Sequence, residues 1–178
     1  MNTSASRSAH IVLIGMMGVG KSTVGRRVAK ELTRPFVDSD DEVVARTGRA
    51  VTEIFATDGE PAFRAIEEEV MANLLASPTP SVIAAAGGSV LSSSTRARLR
   101  ESGTVVWMRA PVDVLVGRTS RGTHRPALAN DPRATLTQME TDRESLYGEV
   151  ADITVDCTAP IATVVSTIVR LVAEGSAQ

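Results

Sequence analysis

The sequence predicts an α/β fold, a doubly wound five-stranded parallel sheet flanked by helices. Five short apolar runs alternate with helical segments along the chain, which is typical of strands buried on both faces of a parallel sheet. The first run, residues 11–14, leads directly into a glycine-rich segment and then a helix. Ligands bind at the carboxyl ends of the strands in open α/β sheets, so this junction predicts the binding edge.

The glycine-rich segment, residues 15–22, reads Gly-Met-Met-Gly-Val-Gly-Lys-Ser and fits the phosphate-binding loop, or P-loop. Its glycines let backbone N–H groups turn inward around a phosphate, and the following helix adds the partial positive charge of its N-terminus. Lys21 can then reach the terminal phosphates of a nucleotide, and the Ser22 hydroxyl can ligate Mg²⁺. A plain strand-to-helix turn with a solvated lysine is the alternative. The nucleotide-binding residues that the motif predicts are Gly18, Val19, Gly20, Lys21, Ser22 and Thr23.

The other elements follow from periodicity and from helix start and stop residues. The first helix carries Val24, Val28 and Leu32 at helical spacing. Asp58, followed by Gly-Glu-Pro, predicts the capped start of a long helix. Strands are expected over residues 11–14, 35–40, 81–86, 104–108 and 152–156. Further helices are expected over residues 42–46, 51–56, 95–101, 112–117, 134–147 and 161–172.

Two carboxylates, Asp38 and Asp40, end the second predicted strand at the edge where the P-loop also lies. Alternation along an extended segment places them on the same side, about 7 Å apart. Two acids there suit a Mg²⁺ shell and a hydrogen-bond acceptor for a hydroxyl. Helix capping explains them equally well, because Asp40 or Asp41 can cap the helix that follows.

Arg64 lies at the edge of the apolar stripe of the long helix, and a pair of glycines, Gly87 and Gly88, follows the third strand. A glycine pair at the carboxyl end of a strand permits a ligand to approach the backbone, and a plain tight turn explains it equally well. For Arg64 the spacing alone favours a surface ion pair with Glu68, worth at most about half a kcal/mol.

The apolar periodicity stops over residues 118–133, where four arginines stand among Ser, Gly, Asn, Asp and Pro. In a protein with a P-loop such a stretch predicts a lid over the phosphates, because guanidinium groups pair well with phosphate oxygens and closure excludes water. A solvated surface loop is the alternative. The helix after this stretch carries Arg143 and Tyr147, four residues apart on one face.

Composition and charge narrow the class of protein. The 178 residues, 43% hydrophobic and 22% charged, suit one domain over residues 10–173, with a disordered tail over 1–9 and a short C-terminal tail over 174–178. A net charge of −2 without a basic stripe argues against nucleic acid as a partner. The single cysteine, Cys157, excludes an internal disulfide, and no apolar run is long enough to span a membrane. We therefore expect a cytoplasmic monomer that binds a small ligand.

Together these residues resemble the shikimate kinase family, whose members are related to the nucleoside monophosphate kinases. Shikimate kinases transfer the γ-phosphate of ATP to the 3-hydroxyl of shikimate in aromatic amino-acid biosynthesis. The resemblance spans about residues 11–171 and rests on several segments that are far more specific together than the P-loop alone. These are residues 15–23, Asp38-Ser39-Asp40, Ile54-Phe55, Gly59-Glu60, Phe63-Arg64 with Glu67, Gly87-Gly88, Arg125-Pro126, and Arg143 with Tyr147.

The resemblance implies that Mg²⁺ and ATP bind on one side of the site and shikimate on the other. On the nucleotide side, Lys21 would bind the phosphates and Ser22 would ligate Mg²⁺. Asp38 would contact the metal through water, and Arg125 would act from the lid on the transferring phosphate.

On the acceptor side, the resemblance implies that Arg64 and Arg143 bind the shikimate carboxylate. Asp40 would bind ring hydroxyls, and Gly87 would bind a hydroxyl through its backbone. The expected substrate-binding residues are Asp40, Arg64, Gly87, Gly88 and Arg143, and the expected catalytic residues are Lys21, Asp40 and Arg125.

Two positions depart from the family pattern. Ala86 stands where the family usually has the first of three glycines, and its methyl group can reshape the turn. The loop of residues 157–160 lacks the arginine that lies against adenine in the family, so no adenine contact is assigned there. The alternative functions are those of another small-molecule kinase, such as gluconate kinase, and of a nucleotide-binding module without catalysis. The pairing of Asp40 with Arg64 in the acceptor region argues against such a module.

Overall fold

Five parallel strands form one sheet in the computed structural model, which describes residues 10–120 and 131–175. The strands are β1 (His10–Ile14), β2 (Phe36–Asp38), β3 (Val82–Ala84), β4 (Gly103–Arg109) and β5 (Ile153–Asp156). Their spatial order is β2-β3-β1-β4-β5, and each neighbouring pair is parallel. The predicted five-stranded parallel sheet is therefore confirmed.

The central position of β1 in the sheet accounts for its unbroken apolar sequence. Its five residues are all buried, because β3 and β4 pair with its two edges and helices cover both faces of the sheet. Leu13 pairs with Ala84 of β3 and with Val106 of β4, so β1 and β3 end within one residue of each other while β4 continues to Arg109. Their carboxyl ends form the edge from which the P-loop leaves the sheet.

Seven helices surround the sheet within the described residues. They are α1 (Lys21–Glu31), α2 (Ser39–Thr47), α3 (Val51–Leu75), α4 (Ser93–Ser102), α5 (Val112–Thr119), α6 (Pro132–Val150) and α7 (Ile161–Gly175), with a short 3₁₀ turn at Ser89–Leu91. Helix α1 packs on α7, whereas α4 packs against α3 and α6. These two groups of helices cover the two faces of the doubly wound sheet.

Helix α2 begins earlier than its sequence predicts, and its cap is a different residue. Asp38 is the N-cap, because its side chain accepts a hydrogen bond from the backbone N–H of Asp40 at 3.1 Å. Neither Asp40 nor Asp41 caps the helix, since both lie in its first turn. The extended conformation expected through Asp40 is therefore wrong beyond Asp38.

The two helices predicted on either side of Asp58 form one element, α3, with a break inside it. Gly59 has φ 82° and ψ 170°, a backbone conformation outside the helical region that glycine adopts readily. Pro61 then lies in the first turn of the second half, where its missing N–H does no harm. The Asp58 carboxylate, predicted as a cap, accepts hydrogen bonds from Arg49 and Thr57.

Both end residues of the predicted lid stretch, residues 118–133, belong to helices. Arg118 belongs to the last turn of α5 and Arg133 to the first turn of α6. Arg121 and Arg125 lie outside the described residues, as do residues 1–9 of the expected N-terminal tail. Helix α7 continues to Gly175, two residues into the expected C-terminal tail. Over the described ranges 10–120 and 131–175, no helix is both long enough and apolar enough to cross a membrane.

Candidate active site

A cavity of about 920 Å³ opens at the carboxyl edge of the sheet, beside the P-loop. The site residues predicted from the sequence that line it are Gly18, Gly20, Lys21, Ser22, Thr23, Asp38, Asp40, Arg64, Gly87, Gly88 and Arg143. Val19 is the exception, because it is buried in the core and does not line the cavity. Arg125 lies outside the described residues. The structure thus brings together residues that are more than 120 positions apart in the sequence.

The P-loop needs its glycines because the backbone turns sharply against the end of β4. Gly15 has φ 137°, and a Cβ there would lie 2.3 Å from the carbonyl oxygen of Met108. Gly20, the N-cap of α1, has φ 103° and ψ 20°, in the left-handed region that L residues rarely adopt. The loop therefore delivers the chain from β1 into the N-terminus of α1, where backbone N–H groups bind anions well.

Lys21 lies folded over the P-loop. Its Nζ donates to the carbonyl oxygen of Gly15 at 2.7 Å and to that of Met16 at 3.1 Å. These contacts hold the ammonium group over the loop whose N–H groups would surround a phosphate. A positive charge at that point complements the terminal phosphates of a nucleotide.

Ser22 and Asp38 meet at the start of α1. The Ser22 hydroxyl donates to Oδ2 of Asp38 at 2.6 Å, while Oδ1 of Asp38 accepts from the first turn of α2. The hydroxyl and the carboxylate are both hard oxygen ligands, which suit Mg²⁺. Within the described residues no cluster of three or more His, Cys, Asp or Glu side chains could hold a metal alone.

The wall of the cavity that α3 forms is organised by Arg64. Its Nη1 donates to Oε2 of Glu67 at 2.8 Å, and its Nη2 donates to Oε1 of Glu60 at 3.0 Å. The predicted pair with Glu68 is wrong, because that carboxylate accepts instead from the Ser92 hydroxyl at 2.8 Å. The Arg64 pairs therefore flank the cavity and fix the direction of its guanidinium.

Glu67 is a carboxylate with very little access to solvent, at 4% exposed. Burial raises the pKa of Glu67 above its ordinary value, and the nearby Arg64 charge only partly offsets that effect. Its Oε1 has no hydrogen-bond partner among the described residues. Both Arg64 and Glu67 also line a second cavity of about 330 Å³ that lies behind the first.

Arg143, on α6, reaches the cavity from the opposite side. It is 7% exposed, and its Nη1 donates to the carbonyl oxygen of Gly87 at 3.2 Å. Its Nε has no hydrogen-bond partner among the described residues. The guanidinium is therefore a buried positive group with a donor still available, which suits an anionic ligand.

The glycine pair after β3 lies between the two arginines. A Cβ on Gly88 would stand 2.0 Å from Nη1 of Arg64, so the guanidinium occupies the space that a side chain would need. Arg64 therefore lies directly against this turn, and the approach of a ligand to the glycine backbone stays a prediction. Ala86, at the position where the sequence departs from the family pattern, donates its backbone N–H to the Ser39 hydroxyl at 2.9 Å. Its methyl group is accommodated at the end of the strand.

Some residues around the cavity were not predicted as site residues. Arg118 donates to the carbonyl oxygens of Val19 at 3.3 Å and Cys157 at 2.7 Å, so it joins the P-loop to the loop after β5. Its position in a helix was hidden because the apolar periodicity stops there. Phe55 presents its ring to the cavity and packs on Phe63, with ring centroids 4.4 Å apart.

Comparisons with known proteins show the family of the chain through a family model and through relatives of 45% identity or more. The family model described as shikimate kinase matches residues 17–173. A shikimate kinase from Bordetella pertussis is 45% identical over 160 residues, which cover 89% of this chain and 75% of that protein. One from Caulobacter vibrioides is 47% identical over 144 residues, covering 80% and 72%. A solved structure of shikimate kinase from Acinetobacter baumannii in complex with shikimate has a TM-score of 0.91 and 34% identity, and 96% of each chain is covered.

Proposed function

The chain belongs to the shikimate kinase family, and we propose how its residues divide the work of the reaction. The protein transfers the γ-phosphate of ATP to the 3-hydroxyl of shikimate, giving shikimate 3-phosphate and ADP. The observation that carries the proposal is the meeting of Asp40, Arg64, Arg143 and the glycine pair in one cavity with the P-loop. A site built only for a nucleotide has no use for two arginines on the acceptor side.

The P-loop side is proposed to bind Mg-ATP. Backbone N–H groups of the loop and the N-terminus of α1 would surround the β- and γ-phosphates, with Lys21 meeting their charge. The Ser22 hydroxyl and, through water, the Asp38 carboxylate would hold Mg²⁺, which neutralises charge on the phosphate oxygens when bound. The hydrogen bond of 2.6 Å between Ser22 and Asp38 supports this pair, because the two oxygens are close enough to face the same cation.

The acceptor side is proposed to hold shikimate by its carboxylate and its hydroxyls. Arg143, buried with an unpartnered Nε, and Arg64, fixed by two glutamates, supply charge-assisted donors to the carboxylate. Asp40 would accept a hydrogen bond from a ring hydroxyl, and backbone donors of Gly87 and Gly88 would bind another. These contacts orient the 3-hydroxyl toward the γ-phosphate.

In the transfer step, the oxygen of the 3-hydroxyl forms a bond to the γ-phosphorus while the bond from that phosphorus to the bridging oxygen of ADP breaks. Asp40 would orient the hydroxyl and receive its proton. Lys21 offsets the negative charge that builds on the phosphates during transfer. The role of Arg125 on the transferring phosphate stays a prediction from the resemblance, as do the monomeric state and the cytoplasmic location.

ADP release measured under four conditions tests the proposal: with shikimate, with gluconate, with nucleoside monophosphates and without an acceptor. We expect rapid, saturable release with shikimate alone. Equal release with gluconate would favour the alternative small-molecule kinase. Release that does not depend on an acceptor would indicate a nucleotide-hydrolysing module and would contradict the proposed function of the arginines.

A further inference from the structure

Tyr147 is a buried phenol on α6 that the phosphate transfer does not use directly. It is 1% exposed, and its ring stacks on Trp107 with centroids 5.7 Å apart. Its hydroxyl donates to the carbonyl oxygen of Gly87 at 2.6 Å and lies 3.9 Å from the sulfur of Met16 in the P-loop. Burial raises the pKa of Tyr147 to about 12, so the phenol remains a donor at neutral pH.

The carbonyl oxygen of Gly87 accepts two hydrogen bonds, as many as it has lone pairs. Tyr147 supplies the first, and Arg143 supplies the second through Nη1 at 3.2 Å. The described chain contains no cis peptide bond, and in a planar trans peptide the C=O and the N–H point in opposite directions. Holding the Gly87 carbonyl toward α6 therefore directs the N–H of Gly88 away from α6.

A backbone hydrogen bond closes this turn, because the Ser89 N–H donates to the Ala86 carbonyl oxygen at 3.1 Å across the two glycines. That bond alone leaves two opposite orientations open to the central Gly87–Gly88 peptide, those of the type I and type II turns. Neither glycine has a side chain, so the orientation of the turn depends on hydrogen bonds to its backbone. Gly87 approaches the P-loop so closely that a Cβ there would lie 3.3 Å from the carbonyl oxygen of Gly15. Within the described residues the backbone N–H groups of Gly87 and Gly88 form no hydrogen bond, and both glycines line the active-site cavity. These groups are donors available to an acceptor substrate.

We propose that Tyr147 is a positioning residue for the acceptor, acting through the Gly87–Gly88 peptide and through Arg143. By donating to the Gly87 carbonyl it aims the Gly88 N–H at a substrate hydroxyl and shares with Arg143 the oxygen that anchors that guanidinium. The inference rests on the proposed function, because the acceptor in question is shikimate. It predicts an effect on the acceptor side and none on ATP.

Tyr147→Phe tests this role, because phenylalanine keeps the ring against Trp107 and removes only the hydroxyl. We expect KM for shikimate to rise roughly tenfold, the consequence of one lost hydrogen bond, with kcat and KM for ATP within about twofold of wild type. Ser102→Ala is the matched control, since it removes a buried hydroxyl that donates to the Leu99 carbonyl at 3.0 Å, far from the cavity. That variant should keep wild-type constants for both substrates.

A measurement on the wild-type protein tests the same peptide without any substitution. The backbone amide resonance of Gly88 should shift when shikimate saturates the site, whereas that of Gly103, at the start of β4, should not. An unmoved Gly88 resonance, or a Tyr147→Phe variant with wild-type KM for shikimate, would overturn the positioning role. Equal weakening of shikimate and ATP would also overturn it, because it would indicate a purely structural role. Failure of the wild-type protein to phosphorylate shikimate would instead refute the proposed function.

Discussion

The two sides of the active site are built in different ways. The side that we propose for the nucleotide is formed mainly by the backbone of residues 15–22, and even the Lys21 side chain is held by carbonyl oxygens of its own loop. The acceptor side is assembled from α2, α3, the turn after β3 and α6, and its arginines are held by other side chains and by one carbonyl. The first depends on local backbone geometry, and the second depends on tertiary packing.

This difference predicts how each side responds to change. A substitution of Lys21 should affect the phosphates and leave the packing of the domain intact, because its hydrogen bonds to Gly15 and Met16 lie within its own loop. A substitution among the acceptor arginines should weaken shikimate binding and also disturb partners such as Glu67, which would stay buried without its counter-charge.

Lys21→Met should give the largest loss. Methionine matches the length of lysine and removes the charge that meets the phosphates, so turnover should fall by about 10²-fold or more while the melting temperature stays near that of wild type. Steady-state ADP release and thermal unfolding measure the two quantities. Lys30→Met, at the exposed end of the same helix, is the control. Activity above about a tenth of wild type in Lys21→Met would contradict the P-loop assignment.

Asp40→Asn and Asp41→Asn compare the effect on activity of a cavity residue with that of its exposed neighbour. Asp40 lines the cavity, whereas the Asp41 side chain is 74% exposed and pairs only loosely with Arg26 at 3.6 Å. We expect kcat to fall about 10- to 100-fold in Asp40→Asn, less than for a full general base, because a loose transition state demands little deprotonation of the nucleophile. Asp41→Asn should stay close to wild type. Equal losses would refute the distinction.

Arg64→Ala and Arg143→Ala should each weaken shikimate binding roughly 10- to 150-fold, because each removes a charge-assisted partner worth about 1.5 to 3 kcal/mol. ATP affinity should barely change, and calorimetric titration with each ligand measures both. The control is Arg46→Ala, which breaks a comparable pair with Glu69 away from the cavity. Loss of ATP affinity in the first two variants would move these arginines to the nucleotide side.

The sequence predicts the strand, loop and helix of the P-loop almost completely, because a local motif needs only consecutive residues and the elements that flank them. It predicts the members of the acceptor side less directly, through spacing and resemblance. The partner of Arg64 could not be chosen by spacing, since residues at i−4, i+3 and i+4 are all neighbours on a helix. Packing decides the choice, because Glu67 is buried against the cavity wall while Glu68 meets Ser92.

Contacts that depend on tertiary structure are missing from the sequence interpretation for the same reason. Nothing local indicates that Tyr147 meets the Gly87 carbonyl, 60 residues away, or that Arg118 bridges two loops.

Asp38 illustrates a further limit, because one side chain both caps α2 and contacts Ser22. Capping and ligation were competing explanations for the acids in this region, and the structure assigns the cap to an aspartate that is also a candidate ligand.

The smallest expected effect is on the free energy of unfolding, which should depend on pH because Glu67 is buried. Burial raises the pKa of this carboxyl in the folded chain, so between its ordinary and its raised value the folded chain keeps a proton that the unfolded chain has released. The contribution of Glu67 to the free energy of unfolding is therefore largest at low pH and is lost as pH rises through the folded pKa. Each unit of difference is worth about 1.4 kcal/mol.

Glu67→Gln should remove this term, because glutamine resembles the protonated acid and does not titrate. Relative to wild type, the free energy of unfolding of the variant should increase as pH rises from about 4 to 8, and denaturant titrations at several pH values measure the difference. Comparing the two proteins cancels the opposite slope from exposed carboxyls whose pKa is lowered, such as Asp58 beside Arg49. Glu69→Gln, an exposed substitution on the same helix, should run parallel to wild type. A Glu67→Gln curve parallel to wild type would mean that the Arg64 charge fully compensates the burial, and that the acceptor side holds its buried acid at no cost.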